Sequence, residues 1–308
     1  MKIIFFLSLT LLFIDPNYCS HYKGGVFTSF SPNNQSISIK YQLYYKRRGT
    51  STAIWCDDSL IQSSRNVTDP SNPQIMVYYC NSIMNQCKSM QNDALISFDF
   101  RCINYDEKNN WSAFENSKTI TLNPSLISNY DQILISLQNT QGEWSLDNWS
   151  NSYKYFWTHL NKRVRLQESI PVINTPPEVQ SFPNHNIKCG CESKFKPTIF
   201  DKNPNDKIKC RASYRTYGQP ECGLCSQNYI VDSETCTITF PSTLRQSLPV
   251  EIQVEDYNAG YMNGTVPMSS TSFQFSAILG SCSSINTQVC DDIPRFTNSI
   301  QPSRYTLV

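Results

Sequence analysis

The sequence predicts an all-β protein built as two tandem antiparallel β-sandwich domains stapled by disulfides. Three observations carry that expectation. Short apolar runs alternate with polar residues at the strand period of two. Clusters of Asn, Ser, Asp and Pro separate those runs. Thirteen cysteines occupy 308 residues, six of them between Cys189 and Cys236. No stretch holds a 3.6-residue apolar period over three turns.

Residues 1–20 read as a secretory signal peptide. Lys2 is a minimal basic start, Ile3 to Ile14 is apolar, Asp15-Pro16 ends the run, and cleavage is expected after Cys19 or Ser20. That run is too short to span a bilayer, and no later run is long enough. Loss of Cys19 leaves twelve cysteines, an even number, which in an oxidising compartment implies six disulfides. Sequons at Asn34, Asn66, Asn110, Asn148 and Asn263 fit secretion. Lys2 and Asp15 leave together, so net charge stays at +1. A nearly neutral chain has no global field for nucleic acid or anionic membrane. The clusters Lys46-Arg47-Arg48 and Lys162-Arg163 with Arg165 read as ordinary surface charge.

The first domain, 21–170, opens at Gly24-Gly25. Ile37, Ile39, Tyr41, Leu43 and Tyr45 alternate with Ser38, Lys40 and Gln42, a half-buried strand. Ile75 to Tyr79, Leu95 to Phe100, Thr119 to Leu122 and Ile133 to Leu137 are further strands. Ser150 to Arg165 is open between a short helix and a strand. Pro171 to Pro177 marks the boundary, since Pro176-Pro177 cannot continue a ladder. The second domain, 171–282, places strands at Ile199-Phe200, Lys207 to Ala212, Thr237 to Phe240, Val250 to Val254 and Ser272 to Ala277. Residues 283–308 form a polar tail.

The cysteines before Cys189 are Cys56, Cys80, Cys87 and Cys102, which are expected to pair among themselves. Of three connectivities, a tight Cys80–Cys87 loop with Cys56–Cys102 is preferred. Later come Cys189, Cys191, Cys210, Cys222, Cys225, Cys236, Cys282 and Cys290. Cys222-Gly-Leu-Cys225 has redox spacing, but no amphipathic helix follows to lower a thiolate pKa. Separate structural bridges for Cys222 and Cys225 are expected, and zinc is disfavoured because secretion oxidises thiols. His21, His159 and His185 are the only histidines, and no GxSxG or HExxH motif is present. Trp144, Trp149, Tyr153, Tyr155, Phe156 and Trp157 form the densest aromatic cluster, read as core rather than as an exposed stacking surface.

VINTPPEV, NPNDKIKCRAS, ECGLC, CTITF, VEIQVEDY and PMSSTSFQFSAI, with GGVFTSF and CINYDEKNNWS earlier, carry a resemblance. The chain resembles a poorly characterised family of secreted invertebrate and fish proteins over residues 24–282. The resemblance implies an amino-terminal ectodomain of immunoglobulin- or cadherin-like architecture, often ahead of modular extracellular repeats. It implies no established chemistry, and this chain departs from it at Cys191 and by ending soon after Cys290.

Asp201, Asn203, Asn205 and Asp206 supply oxygen ligands in one loop, so they read either as a weak calcium site or as an Asx-rich turn. The family turn at this position, Asp-Pro-Asp-Gly, implies calcium. Glu255-Asp256 would add carboxylates if both loops share one pole, while Lys202 and Lys207 oppose a cation. No other cofactor is expected. The functional expectation is a non-catalytic extracellular recognition or adhesion module with a protein or glycan partner. The alternative is a secreted enzyme, a hydrolase or a thiol-redox protein acting through Cys222 and Cys225.

Overall fold

The computed structural model describes residues 22–33, 36–47, 55–68, 73–81, 86–89, 96–97, 99–122, 132–139, 155–161, 174–180, 182–203, 205–213, 215–216, 219–220, 228–260 and 262–280. The expected signal peptide and tail lie outside them. So do Asn34, Asn148, Cys222, Cys225, Cys282, Cys290 and the aromatic residues 144–153.

The described chain is almost entirely antiparallel β-structure, the two tandem β-sandwiches that the alternation predicts. The first half contains β1 (Tyr22–Asn33), β2 (Ser36–Lys46), β3 (Asn66–Thr68), β4 (Pro73–Asn81), β5 (Gln86–Ser89), β6 (Ile96–Ser97), β7 (Asp99–Asp106), β8 (Trp111–Thr121), β9 (Gln132–Asn139) and β10 (Tyr155–Asn161). Thus the open segment Ser150–Arg165 contains a strand. The second half contains β11 (Glu178–Gln180), β12 (Asn184–Ile187), β13 (Ser193–Phe195), β14 (Thr198–Phe200), β15 (Lys207–Ala212), β16 (Arg215–Thr216), β17 (Gln219–Pro220), β18 (Ile230–Val231), β19 (Ile238–Phe240), β20 (Leu248–Tyr257) and β21 (Ser269–Leu279).

One hydrogen-bonded path, β3-β7-β8-β2-β1-β21-β10-β9-β4-β5, runs through both halves, and β15 and β20 extend from β21. Register explains how two cores share it. Phe27 pairs with Tyr41 and Ser272, whereas Val26 pairs with Gln42 and Phe273. Successive side chains point to opposite faces of a strand. Phe27 therefore joins Ile39, Tyr41 and Phe114 in the first core, and Val26 joins Ile252, Phe273 and Phe275 in the second. The two cores lie on opposite faces of a continuous sheet. β20 and β21 are buried on both faces, so Glu251, Gln253, Ser272 and Gln274 are buried as well as their apolar neighbours. A six-residue helix, α1 (Asp58–Ser63), spans under two turns and so carries no 3.6-residue apolar period; Asp57 caps it by accepting from Leu60 N at 2.8 Å.

Arg47 corrects the reading of its cluster as surface charge. It is buried, donating from Nε to the Cys56 carbonyl at 3.1 Å and from Nη1 to Glu107 at 2.5 Å. Its guanidinium lies 4.5 Å from the Tyr105 ring centroid and 5.4 Å from that of Trp55. A planar, weakly hydrated cation tolerates this setting. Beside it Cys56 is bonded to Cys102, with Cα atoms 5.6 Å apart. Cys80 and Cys87 stand opposite each other in the β4–β5 ladder. Cys210 is bonded to Cys236, and Cys189 and Cys191 are both in disulfides.

Candidate functional site

The residues around the 201–206 loop form a cluster because of strand register. β15 runs antiparallel to β20 with Lys207 opposite Tyr257. The residue before β15, Asp206, therefore meets the residue after β20, and Asn258 Nδ2 donates to Asp206 Oδ1 at 2.7 Å. Asp256 sits opposite Ser269 of β21, whose backbone N and Oγ both donate to Asp256 Oδ1 at 2.6 Å. Asn174, from the Pro-rich boundary segment, donates through Nδ2 to Asp256 Oδ2 and to Ser269 Oγ. One ligand oxygen each from Asp201, Asp206 and Asp256 lies within 4.8 Å of the others.

Burial raises the Asp256 carboxyl to about 7, with Asp201 and Asp206 repelling its charge and the Ser269 and Asn174 hydrogen bonds opposing the rise. The loop also forms the Asx-type turn: Asn203 N donates to Asp201 Oδ1 at 2.7 Å, and Asp206 N to the Asn203 carbonyl at 3.1 Å. Turn and acidic cluster coexist. Among the described residues Asn203 Oδ1 is buried without a hydrogen-bond partner, and Asn205 is exposed. Glu255 belongs elsewhere, paired with Arg211 at 2.7 Å. The two lysines flanking the loop make ion pairs with other acids, Lys202 with Glu178 at 2.7 Å and Lys207 with Glu234 at 2.6 Å. Hard oxygen donors at this density suit a cation such as calcium or a shared proton. Asn174, Asn258 and Ser269 have no linear motif that would reveal them; only the β15–β20–β21 register brings them in.

Asp256 is fully buried, out of reach of a substrate. His185, the histidine whose side chain is described, has its ring tilted against Phe195 at 3.6 Å and edge-on to Phe275 at 4.8 Å. Burial lowers it to about 4, so it is neutral at physiological pH. Neither arrangement assembles a nucleophile, a base and an orienting acid.

A second feature is a polar cleft of about 630 Å³ where the β2–β8–β7 sheet faces the boundary segment. Lys40, Asn66, Arg101 and Glu115 line one wall, Thr175 and Glu178 the other. Arg101 and Glu115 are bridged at 2.5 Å. Among the sequons, Asn66 and Asn263 are exposed. Asn110 and Asn263 both have φ of 53°, a left-handed conformation that asparagine tolerates.

No protein-family model matches the chain, and no curated protein matches it. Among solved structures it is similar to the two tandem V-type regions of a v-region-containing chitin-binding protein, at 8% identity and TM-score 0.34, over 83% of this chain and 100% of that one. It is also similar to a chimeric titin tandem carrying a fibronectin peptide, at 11% identity and TM-score 0.25, over 80% and 93%. Titin Ig tandem domains match at 7% identity and TM-score 0.22, over 83% and 96%. At these scores the likeness says nothing of function, and the all-β assignment rests on the ladders themselves. Among the described residues no helix is long and apolar enough to cross a membrane.

Proposed function

We propose that this chain is a secreted, non-catalytic recognition or adhesion module that binds an extracellular protein or glycan. Its units are residues 21–170 and 171–282. The observation that carries this reading is the fate of the reactive groups: the Asp256 carboxyl, raised by burial, is sealed in the fold, and the His185 ring packs against the Phe195 and Phe275 rings. Cysteines bonded at 56–102 and 210–236 agree with an oxidising compartment. Glycan-array and pull-down profiling of the secreted protein test it. Saturable binding by the protein without turnover of the bound molecule is expected. Hydrolysis of a bound glycan or peptide, or insulin reduction above background, would overturn it.

Calcium is proposed at the Asp201, Asp206 and Asp256 pole, with Asn203 as a neutral oxygen donor. Three carboxylates supply the negative charge that calcium requires, and extracellular modules of this kind bind at roughly 10⁻⁴–10⁻³ M. Millimolar calcium is expected to raise the melting temperature relative to chelator, and Asp206→Ala to abolish the rise. A melting temperature indifferent to calcium rejects the site.

A further inference from the structure

The acceptor amide of one sequon lies in the wall of the 630 Å³ cleft. Asn66 begins β3, pairs with Arg101 of β7, and is exposed. Its Nδ2 donates to Asp99 Oδ2 at 2.9 Å, which orients the amide. One N–H serves that bond, and the second remains for attachment. The cleft volume falls within the roughly 300–1,000 Å³ range of small-ligand sites. Its lining is polar rather than apolar: the Ser117 and Thr175 hydroxyls, the Glu115 and Glu178 carboxylates and the Lys40 ammonium. Lys40 is exposed and makes no ion pair among the described residues. Such groups donate to and accept from sugar hydroxyls and acetamido groups.

We infer that an oligosaccharide on Asn66 lies in this cleft, its first sugars bridging the sheet wall to the Thr175–Glu178 wall. The inference rests on the secreted reading above. Attachment transfers the oligosaccharide from a lipid diphosphate donor. The anomeric carbon–oxygen bond to phosphate breaks, a bond from that carbon to Nδ2 forms, Nδ2 loses one proton, and the lipid diphosphate leaves. The remaining Nδ2 hydrogen still reaches Asp99. The glycan then acts as an internal ligand. It ties the boundary segment, whose Asn174 holds Asp256, to the first sheet, and it closes the cleft to external partners.

The test uses the full chain secreted from a eukaryotic cell and site-resolved release by peptide-N-glycosidase. Asn263, exposed in the Met262–Gly264 turn, is the internal reference. Under native conditions release at Asn66 is expected to be at least about tenfold slower than at Asn263, the ratio that corresponds to about 1.4 kcal/mol of closure. After denaturation the two rates should converge. Thr175→Ala and Glu178→Gln, on the opposite wall, should speed native release at Asn66 without changing Asn263. Equal native rates, no response to the far-wall variants, or an unmodified Asn66 beside a glycosylated Asn263 overturns the inference alone. Absence of sugar at both sites overturns the secreted-glycoprotein reading with it.

Discussion

Two titratable groups, Asp256 fully buried and His185 half-buried, give the fold opposite pH dependences. Asp256 has its folded value raised from the ordinary carboxylate range to about 7. The folded state keeps a proton that the unfolded chain gives up near pH 4, so this contribution is full below pH 4 and is lost as pH rises through 7. His185 has its folded value lowered to about 4 from an ordinary 6.5. The unfolded chain takes up a proton that the folded state refuses, so stability is full above pH 6.5 and falls as pH drops to 4. At 1.36 kcal/mol per unit, the shifts correspond to about 4 kcal/mol for Asp256 and about 3 kcal/mol for His185. Between pH 4.5 and 6.5 the two slopes nearly cancel. Urea denaturation at several pH values, without divalent ions, separates them. His185→Phe keeps a ring between Phe195 and Phe275, and its stability should fall by about 2–3 kcal/mol as pH rises across that interval. Asp256→Asn should lose stability as pH falls. A flat or rising His185→Phe profile would refute the argument. Saturating calcium should suppress the Asp256 slope, because a bound cation replaces the proton.

Three further outcomes follow from packing. Arg47→Ala should destabilise by about 1–3 kcal/mol in urea denaturation, since it leaves the buried Cys56 carbonyl without its donor while Glu107 is solvated, and Arg47→Lys should not restore it because lysine lacks the planar fork. Replacing Cys56 and Cys102 together by Ala should lower stability by about 2–4 kcal/mol, read as a shift in the denaturation midpoint. Gly24→Ala should disrupt the β1–β21 junction, because Gly24 has φ of 133° and a Cβ there would lie 2.4 Å from the Gln274 carbonyl oxygen. Faster amide hydrogen exchange at Val26 and Phe273 than at Ile39 would report that local loss.

The strands were legible where alternation met a single buried face. Ile37 to Tyr45 has one face in the first core, so its sequence shows the period directly. In β20 and β21 the alternation locates the strands but does not reveal that the polar face is also buried, since Glu251 and Gln274 are residues that a solvated face would equally carry. The acidic pole was legible in part. Asp201 and Asp206 are close in sequence, and Asp256 enters if two loops meet. Asn174, 82 residues before Asp256, enters only through the fold. Arg47 was misread because burial of a cation depends on partners at Glu107 and Tyr105, 60 and 58 positions away, which local charge patterning does not contain.

The shared sheet changes what a boundary at residue 170 means physically. A linker between independent sandwiches would leave each core complete when the chain is cut. Here Val26, directly after Gly24-Gly25, packs in the second core, while Phe27 beside it packs in the first. One face of β21 contributes Phe273 and Phe275 to the second core, and its edge hydrogen-bonds β1 at Gly25 to Phe27 and β10 at His159 and Leu160. Removing residues 171–282 would strip β1 of that neighbour and expose its edge, which invites association between chains. The same continuity fixes the boundary segment in place: Asn174 is fully buried against Asp256 and Ser269, and Thr271 Oγ1 donates to the Pro177 carbonyl at 2.5 Å. A proline pair that marks a boundary in the sequence is thereby held at both ends by the fold, between the acidic pole and the polar cleft.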